Sequence, residues 1–339
     1  MSDQDKTFKI MGDLVKLEGD LLTINLPFDK EARIAFKELL KNSEKKMELP
    51  QHTELPYFAY GLFKPGDLAY NQIEEFVDEQ PMKMDINGSL LVRDGLPLLK
   101  LGTGGAVIGY LINFRKSDST RAYDKIAQFE PKEQYKWVEY ELPNNTSANL
   151  LIGRRPEKGS VPCGKDEWKA QEDPVFNEAM LLVTEMVNNY AIKEFKPAPP
   201  ERFDWNRLFQ LQMAYLLLWT VIERFCSLTY GPGIDPMKKL KPLSGEQAFK
   251  DALKHVVKRT HTVYDSRNPE KSYTLNADNP SSSLNYYYRI RSNLSHRGKG
   301  VSKDGEIVRL SLMELLEIFQ RLLLSNGIPH AHDDKAYTQ

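Results

Sequence analysis

The stretch Met213-Ala-Tyr-Leu-Leu-Leu-Trp-Thr-Val-Ile222 is the longest apolar run in the chain and constrains its fold more than any other segment. As a helix it would rise about 15 Å, about half the thickness of a bilayer core, so it is no membrane span. Gln212 closes one end and Glu223-Arg224 the other. A helix that is apolar on every side has to be covered by other elements. The run therefore predicts a buried bundle helix over 204–229, stopped by Tyr230-Gly-Pro-Gly233.

The surrounding sequence supplies the rest of a helical half. Asp173-Pro174 offers an N-cap and a first-turn proline for a helix over 174–193. Lys196-Pro-Ala-Pro-Pro-Glu201 is a stiff break. Ser244-Gly-Glu-Gln247 has the capping-box spacing and opens a helix to about 258. Helices over 284–297 and 310–325 complete an all-α set suited to a bundle.

Before about residue 165 the texture is different. Phe8–Met11, Leu14–Leu17 and Leu21–Leu26 read as a small antiparallel meander, followed by an amphipathic helix over 29–46 with Asp29 as its cap. Strands are expected at Tyr57–Tyr60, Ile86–Val92, Ala106–Phe114 and Trp137–Leu142, with a helix at Ser119–Phe129. The expected fold class is α+β: a small mixed β-barrel followed by an all-α bundle. The expected divisions are an extension over 1–50, a sheet domain over 51–165 and a connecting helix and Pro-rich linker over 166–203. A helical domain over 204–328 and a flexible tail over 329–339 follow.

With 339 residues the chain is long enough for two domains. Its net charge of −1 gives no overall basic field, which argues against a general nucleic-acid binder. The two cysteines, Cys163 and Cys226, fall on separate elements, so neither a disulfide framework nor a zinc site is expected. The first residues carry no basic and apolar signal pattern, which points to a cytoplasmic protein with no membrane partner. His255 and His261 do not share a helix face well, and His330-Ala-His332 lies in the tail; neither metal nor cofactor is expected.

One local cluster runs against the neutral total. Residues 289–299 hold Arg289, Arg291, Arg297 and Lys299 with no acid, behind the triplet Tyr286-Tyr287-Tyr288. On a helix Leu284, Tyr287, Ile290 and Leu294 share one face, while Arg291 and His296 stand roughly 140° apart with Ser292 and Ser295 between them. That places a permanent cation and a group titrating near neutrality on either side of a groove with a floor of small residues. The plain alternative is a surface ion pair for Arg291 and a helix C-terminal role for His296. Glu223 is either a partner for one of them or simply exposed.

Arg291-Ser-Asn293-Leu-Ser-His296, followed by Arg297-Gly-Lys299, resembles the motif of the HEPN superfamily, its Apea-like branch in particular. That resemblance implies a homodimeric, metal-independent ribonuclease acting in stress response or phage defence. Arg291 would stabilise the phosphorane, His296 would assist proton transfer and Asn293 would orient the phosphate. Arg289, Arg297, Lys299 and Tyr288 would contact RNA.

In the first half, Phe58-Ala-Tyr60-Gly61-Leu62-Phe-Lys-Pro-Gly66 and Ala122-Tyr-Asp-Lys-Ile-Ala-Gln-Phe-Glu130-Pro131, followed by Tyr135, are similar to the gamma-glutamylcyclotransferase-like superfamily. The resemblance implies a barrel in which Tyr60, Gly61, Leu62 and Tyr135 hold a gamma-glutamyl-type ligand and Glu130 is the general acid/base. Leu62 stands where many members carry Ser or Thr, and Pro131 where Gly is common. The leading expectation is an RNA-cleaving enzyme coupled to this domain. The alternatives are a cyclotransferase with a dimerising helical half, and a scaffold without catalysis.

Overall fold

The structure, a computed structural model, describes residues 15–18, 21–24, 46–143, 145–189, 204–231, 236–297 and 305–329. The chain separates into two compact units, residues 1–48 and 49–339. In the first, β1 (Val15–Glu18) and β2 (Leu21–Ile24) pair antiparallel, with Val15 opposite Ile24. The expected strand at 8–11 and helix at 29–46 lie outside the described residues, apart from Lys46.

The second unit begins with a mixed six-stranded sheet. Its strands are β3 (Tyr57–Ala59), β4 (Met82–Arg93), β5 (Leu96–Ile112), β6 (Tyr135–Glu141), β7 (Ser147–Gly153) and β8 (Val161–Pro162), in the order β6-β7-β3-β5-β4-β8. The central β3 is antiparallel to β5 and parallel to β7. The alternation of buried and exposed residues along β4 fits a sheet covered on one side. Asp94 and Gly95, both with positive φ, form the two-residue turn between β4 and β5. This is the Asp-Gly hairpin chemistry that suits the twist of paired strands.

Helix α1 (Ser119–Phe129) buries Ala122, Tyr123, Ile126, Ala127 and Phe129. Tyr123 reaches the sheet, its ring meeting Tyr57 and Trp137 edge-on at 6.3 and 5.4 Å. The helix stops because Pro131 disfavours helical dihedrals in the residue before it. Glu130 accordingly takes extended backbone, φ −82° and ψ 135°.

Within the segment expected as connecting helix and Pro-rich linker, residues 166–189 are packed structure, and the Pro-rich stretch 196–201 lies outside the described residues. Trp168, Ala170, Phe176 and Val183 are buried, and a π-helical turn at Val175–Ala179 runs into α2 (Met180–Asn189). Helix α3 (Trp205–Tyr230) starts at Asp204, whose carboxylate accepts the Arg207 N–H at 3.0 Å, and ends at Gly231 with φ 97°. It buries Leu208, Leu211, Tyr215, Leu218, Trp219, Ile222 and Phe225, as its composition demands. After α3 come α4 (Pro236–Leu240), α5 (Gln247–Val256), α6 (Pro280–Arg297) and α7 (Gly305–Ser325). The capping box at Ser244 does not form: Ser244 sits in a short 3-10 turn and donates to the Lys241 carbonyl.

The C-terminal part is not all-α. Between α5 and α6 a hairpin of β9 (His261–Asp265) and β10 (Asn268–Leu275) lies against α6. The architecture is therefore α+β throughout residues 49–339. Sheet and helices also meet directly: Arg224 on α3 bonds Asp173 and the carbonyls of Asp94 and Gly95. No helix among the described residues is long and apolar enough to cross a membrane.

Candidate functional site

The structure brings together the residues expected of the sheet half, although they lie far apart in sequence. Tyr60 from the end of β3, Gly61 and Leu62 from the following turn, Glu130 from the end of α1 and Tyr135 from β6 line one small cavity, together with Tyr57, Pro97 and Leu151, which were not expected there. Gly61 is needed for close approach, since a Cβ there would press to 3.2 Å from the Pro97 ring.

Glu130 is 8 % exposed. Its carboxyl makes no hydrogen bond or ion pair among the described residues. Loss of hydration alone pushes its pKa up to about 8, because burial penalises the charged form. A group in this state contributes nothing to the fold through pairing, and burying it without a partner is unfavourable. That combination is the usual signature of a proton-handling group.

The tyrosines nearby serve as walls. The Tyr60 hydroxyl donates to the Leu151 carbonyl at 2.7 Å and accepts the Leu99 N–H at 3.2 Å. Tyr135 donates to the Pro97 carbonyl at 2.7 Å. Burial, first of all, raises both phenols well above their ordinary range, so they stay neutral. Leu62, 3 % exposed, lines the same space. The cavity holds about 10 Å³, which is room for one water at most. Beyond Leu62, Lys64 and Asp67 form a buried ion pair at 3.4 Å, and Lys64 donates to the Trp168 carbonyl. Desolvation raises Asp67 to about 6 against the pull of Lys64. The signal this pair leaves in the sequence is slight, two opposite charges three residues apart in a turn rich in Gly and Pro.

In the helical half the expected cluster separates into pinned and unpinned members. Arg289 is expected on RNA, but its guanidinium pairs with Asp265 at 2.8 Å, donates to the Tyr273 hydroxyl at 2.9 Å and stacks 4.6 Å from that ring. With only 12 % of its side chain exposed it fastens the β9–β10 hairpin to α6. Asn293 is engaged likewise: it accepts the Ser266 N–H at 3.1 Å and donates to the Tyr264 carbonyl at 2.9 Å. Both ends of its amide are thus occupied by the hairpin backbone. Tyr286 and Tyr287 are core residues, while Tyr288 is half-buried and meets Trp219 edge-on at 5.8 Å. Ser292 is buried and does not floor an open groove.

Arg291 is partly accessible, with 26 % of its side chain exposed. Glu223 lies 3.3 Å from it and the Tyr288 ring 6.0 Å. Glu223 is therefore its partner. Residues 296 and 297 close α6; the side chains of His296 and Arg297, and the whole of Lys299, fall outside the described residues. Among the described residues no group of His, Cys, Asp and Glu is arranged to hold a metal ion. Comparison with protein-family models, with curated proteins and with solved structures found no match to this chain.

Proposed function

We propose that the Glu130 pocket is an acid–base site of gamma-glutamylcyclotransferase type. The observation that carries this reading is the enclosed, unpartnered Glu130 carboxyl beside the Tyr60-Gly61-Leu62 turn. In the reaction the free amine of a gamma-glutamyl compound attacks its own side-chain carbonyl. Glu130 takes the proton lost by that amine and returns it to the departing amine, so that 5-oxoproline and a free amine form and no water is consumed. Apolar walls suit the task because they hold the carboxyl's pKa near neutrality. With so little space in the pocket, entry of a ligand requires its walls to move. The test is 5-oxoproline release from gamma-glutamyl amines between pH 6 and 9. The rate should rise through about pH 8 as Glu130 ionises, and Glu130→Gln should lower it by about a hundredfold or more. Release that is unchanged in the variant would rule the reading out.

A second reading, metal-independent RNA cleavage by a homodimer of HEPN type, is favoured by the accessibility of Arg291 while its neighbour Arg289 is consumed in an ion pair. Arg291 would then stabilise charge on the phosphorane, with His296 moving the proton. Cellular RNA incubated in EDTA should be cut by the wild type and spared by an Arg291→Ala/His296→Ala double variant. Equal cutting by both, or by neither, would count against this reading.

A further inference from the structure

Lys64 and Asp67 take no part in the proton transfer at Glu130, yet they sit in the turn that forms part of its wall. Their side chains are 3 % and 4 % exposed and meet at 3.4 Å. Stability does not account for such burial. The cost of desolvating two charges can exceed what their attraction returns, and apolar residues of similar volume often serve as well or better. What a buried pair can supply is one fixed geometry.

The geometry fixed here is that of residues 61–69. Around the pocket Tyr57, Pro97, Tyr135 and Leu151 stand on strands, and Tyr60 is held through its hydroxyl to Leu151 and Leu99. Gly61 and Leu62 belong to no strand or helix. Their carbonyls accept the N–H groups of Lys64 and Ala69, at 3.3 and 3.1 Å. The Lys64 ammonium donates to the Trp168 carbonyl and lies 5.8 Å from the centre of that ring, while Asp67 accepts the Leu68 N–H at 3.0 Å. Gln171 adds a second tie to the same packed segment, donating to the Gly66 carbonyl at 3.0 Å. Phe63, between Leu62 and Lys64, lays its ring against Phe129, the neighbour of Glu130, at 5.0 Å. A shift of the turn would therefore reach the carboxyl from two sides.

We propose that Lys64 and Asp67 are positioning residues for Glu130: their ion pair sets the Gly61-Leu62 wall that keeps water from the carboxyl. The use of that wall in catalysis rests on the acid–base reading of the pocket; the wall itself does not. With the turn loose, water would reach Glu130, and the carboxyl would titrate closer to its ordinary value.

The test is an infrared titration of Glu130 in the full chain, without substrate. The absorption of the protonated carboxyl is isolated as the difference from Glu130→Gln, and its midpoint should lie at about 8 in the wild type. Lys64→Met/Asp67→Asn keeps an apolar stem against Trp168 and an acceptor for the Leu68 N–H, and it leaves no charge buried. This double variant should melt close to the wild type, yet its Glu130 midpoint should fall by about one pH unit or more. A pair that only supports the fold would leave the midpoint in place, so an unchanged midpoint in the folded double variant would overturn the proposal. A wild-type midpoint in the ordinary carboxylate range would do the same, since there would be no dry pocket to keep. Amide exchange in the wild type gives a check that needs no variant: Ala69 should exchange as slowly as the amides of β5, and rapid exchange there would mean that the pair does not hold the turn. Release of 5-oxoproline is read separately, and its pH midpoint should move with the infrared midpoint in the double variant. No release by the wild type would remove the acid–base reading, while the infrared titration would still decide whether the pair sets the wall.

Discussion

A carboxyl buried without a partner is held neutral over most of the pH range, and Glu130 is such a group. Its folded pKa of about 8 lies above the unfolded value of about 4.3. Between those limits the native state keeps a proton that the unfolded chain has released. The Glu130 contribution is therefore fully favourable below about pH 4.3 and is lost as pH rises towards about 8. The limiting slope is about 1.4 kcal/mol per pH unit. Asp67, raised to about 6, acts with the same sign over a narrower window and is common to wild type and variant. Glu130→Gln has no charge to lose. Its melting temperature relative to the wild type should therefore climb between pH 4.5 and 8 and level off above. A difference that stays flat across that range would show that the carboxyl ionises freely in the fold. The residue motif named Glu130 from sequence, but its depth was not legible there. Pro131, counted as a departure from the family pattern, is what ends α1 and gives Glu130 its extended backbone.

The elements that were legible are those whose pattern alone decides their burial. Helix α1 has the stripe Ala122, Tyr123, Ile126 and a proline stop, and α3 is apolar all round. The β9–β10 hairpin was not legible. Of its strand residues only Val263, Asp265 and Leu275 are buried, and β10 opens Asn-Pro-Glu-Lys-Ser, which gives no alternating apolar signal. Side-chain anchors on α6 hold it instead, Arg289 to Asp265 and Asn293 to the turn. The β4–β5 hairpin is the opposite case: Asp94-Gly95 was a clear turn signal, yet the strands on either side were assigned without it. The anchoring predicts unequal effects of two arginines that stand two residues apart on α6. Arg289→Ala leaves the buried Asp265 with only the exposed Arg267, 3.9 Å away, and should cost about 2 kcal/mol, with amide exchange accelerated across 261–275. Arg291→Ala removes a partly exposed ion pair and a ring contact at 6.0 Å and should cost under about 1 kcal/mol. Denaturant melts of the two variants decide the matter, and equal losses would mean that Arg289 is not the anchor.

At the scale of the molecule, the seam between sheet and helices in residues 49–339 converges on Arg224. Its guanidinium holds the buried Asp173 at 2.7 Å and reaches the Asp94 and Gly95 carbonyls at 3.2 and 2.8 Å. Gly95, with φ 72°, leaves the space in which that guanidinium sits. A little further along, Gly231 at the end of α3 lies against Phe129, the neighbour of Glu130. Glu223, beside Arg224 in sequence, is the partner of Arg291. The surroundings of both candidate sites are thus fixed to one helix, and α3 links them. Arg224→Ala strands the Asp173 carboxylate away from water, at a cost of about 3–5 kcal/mol. Loss of stability alone would not establish a link, so the informative quantity is which segments open together. In the wild type the slowest amides of β5 and α3 should exchange through one shared opening. In Arg224→Ala the two sets should separate, with β5 opening at lower free energy than α3. If they remain coincident at a uniformly lower stability, the arginine strengthens the seam without coupling its two sides. The link would then rest on the Phe129–Gly231 contact and the packing around it.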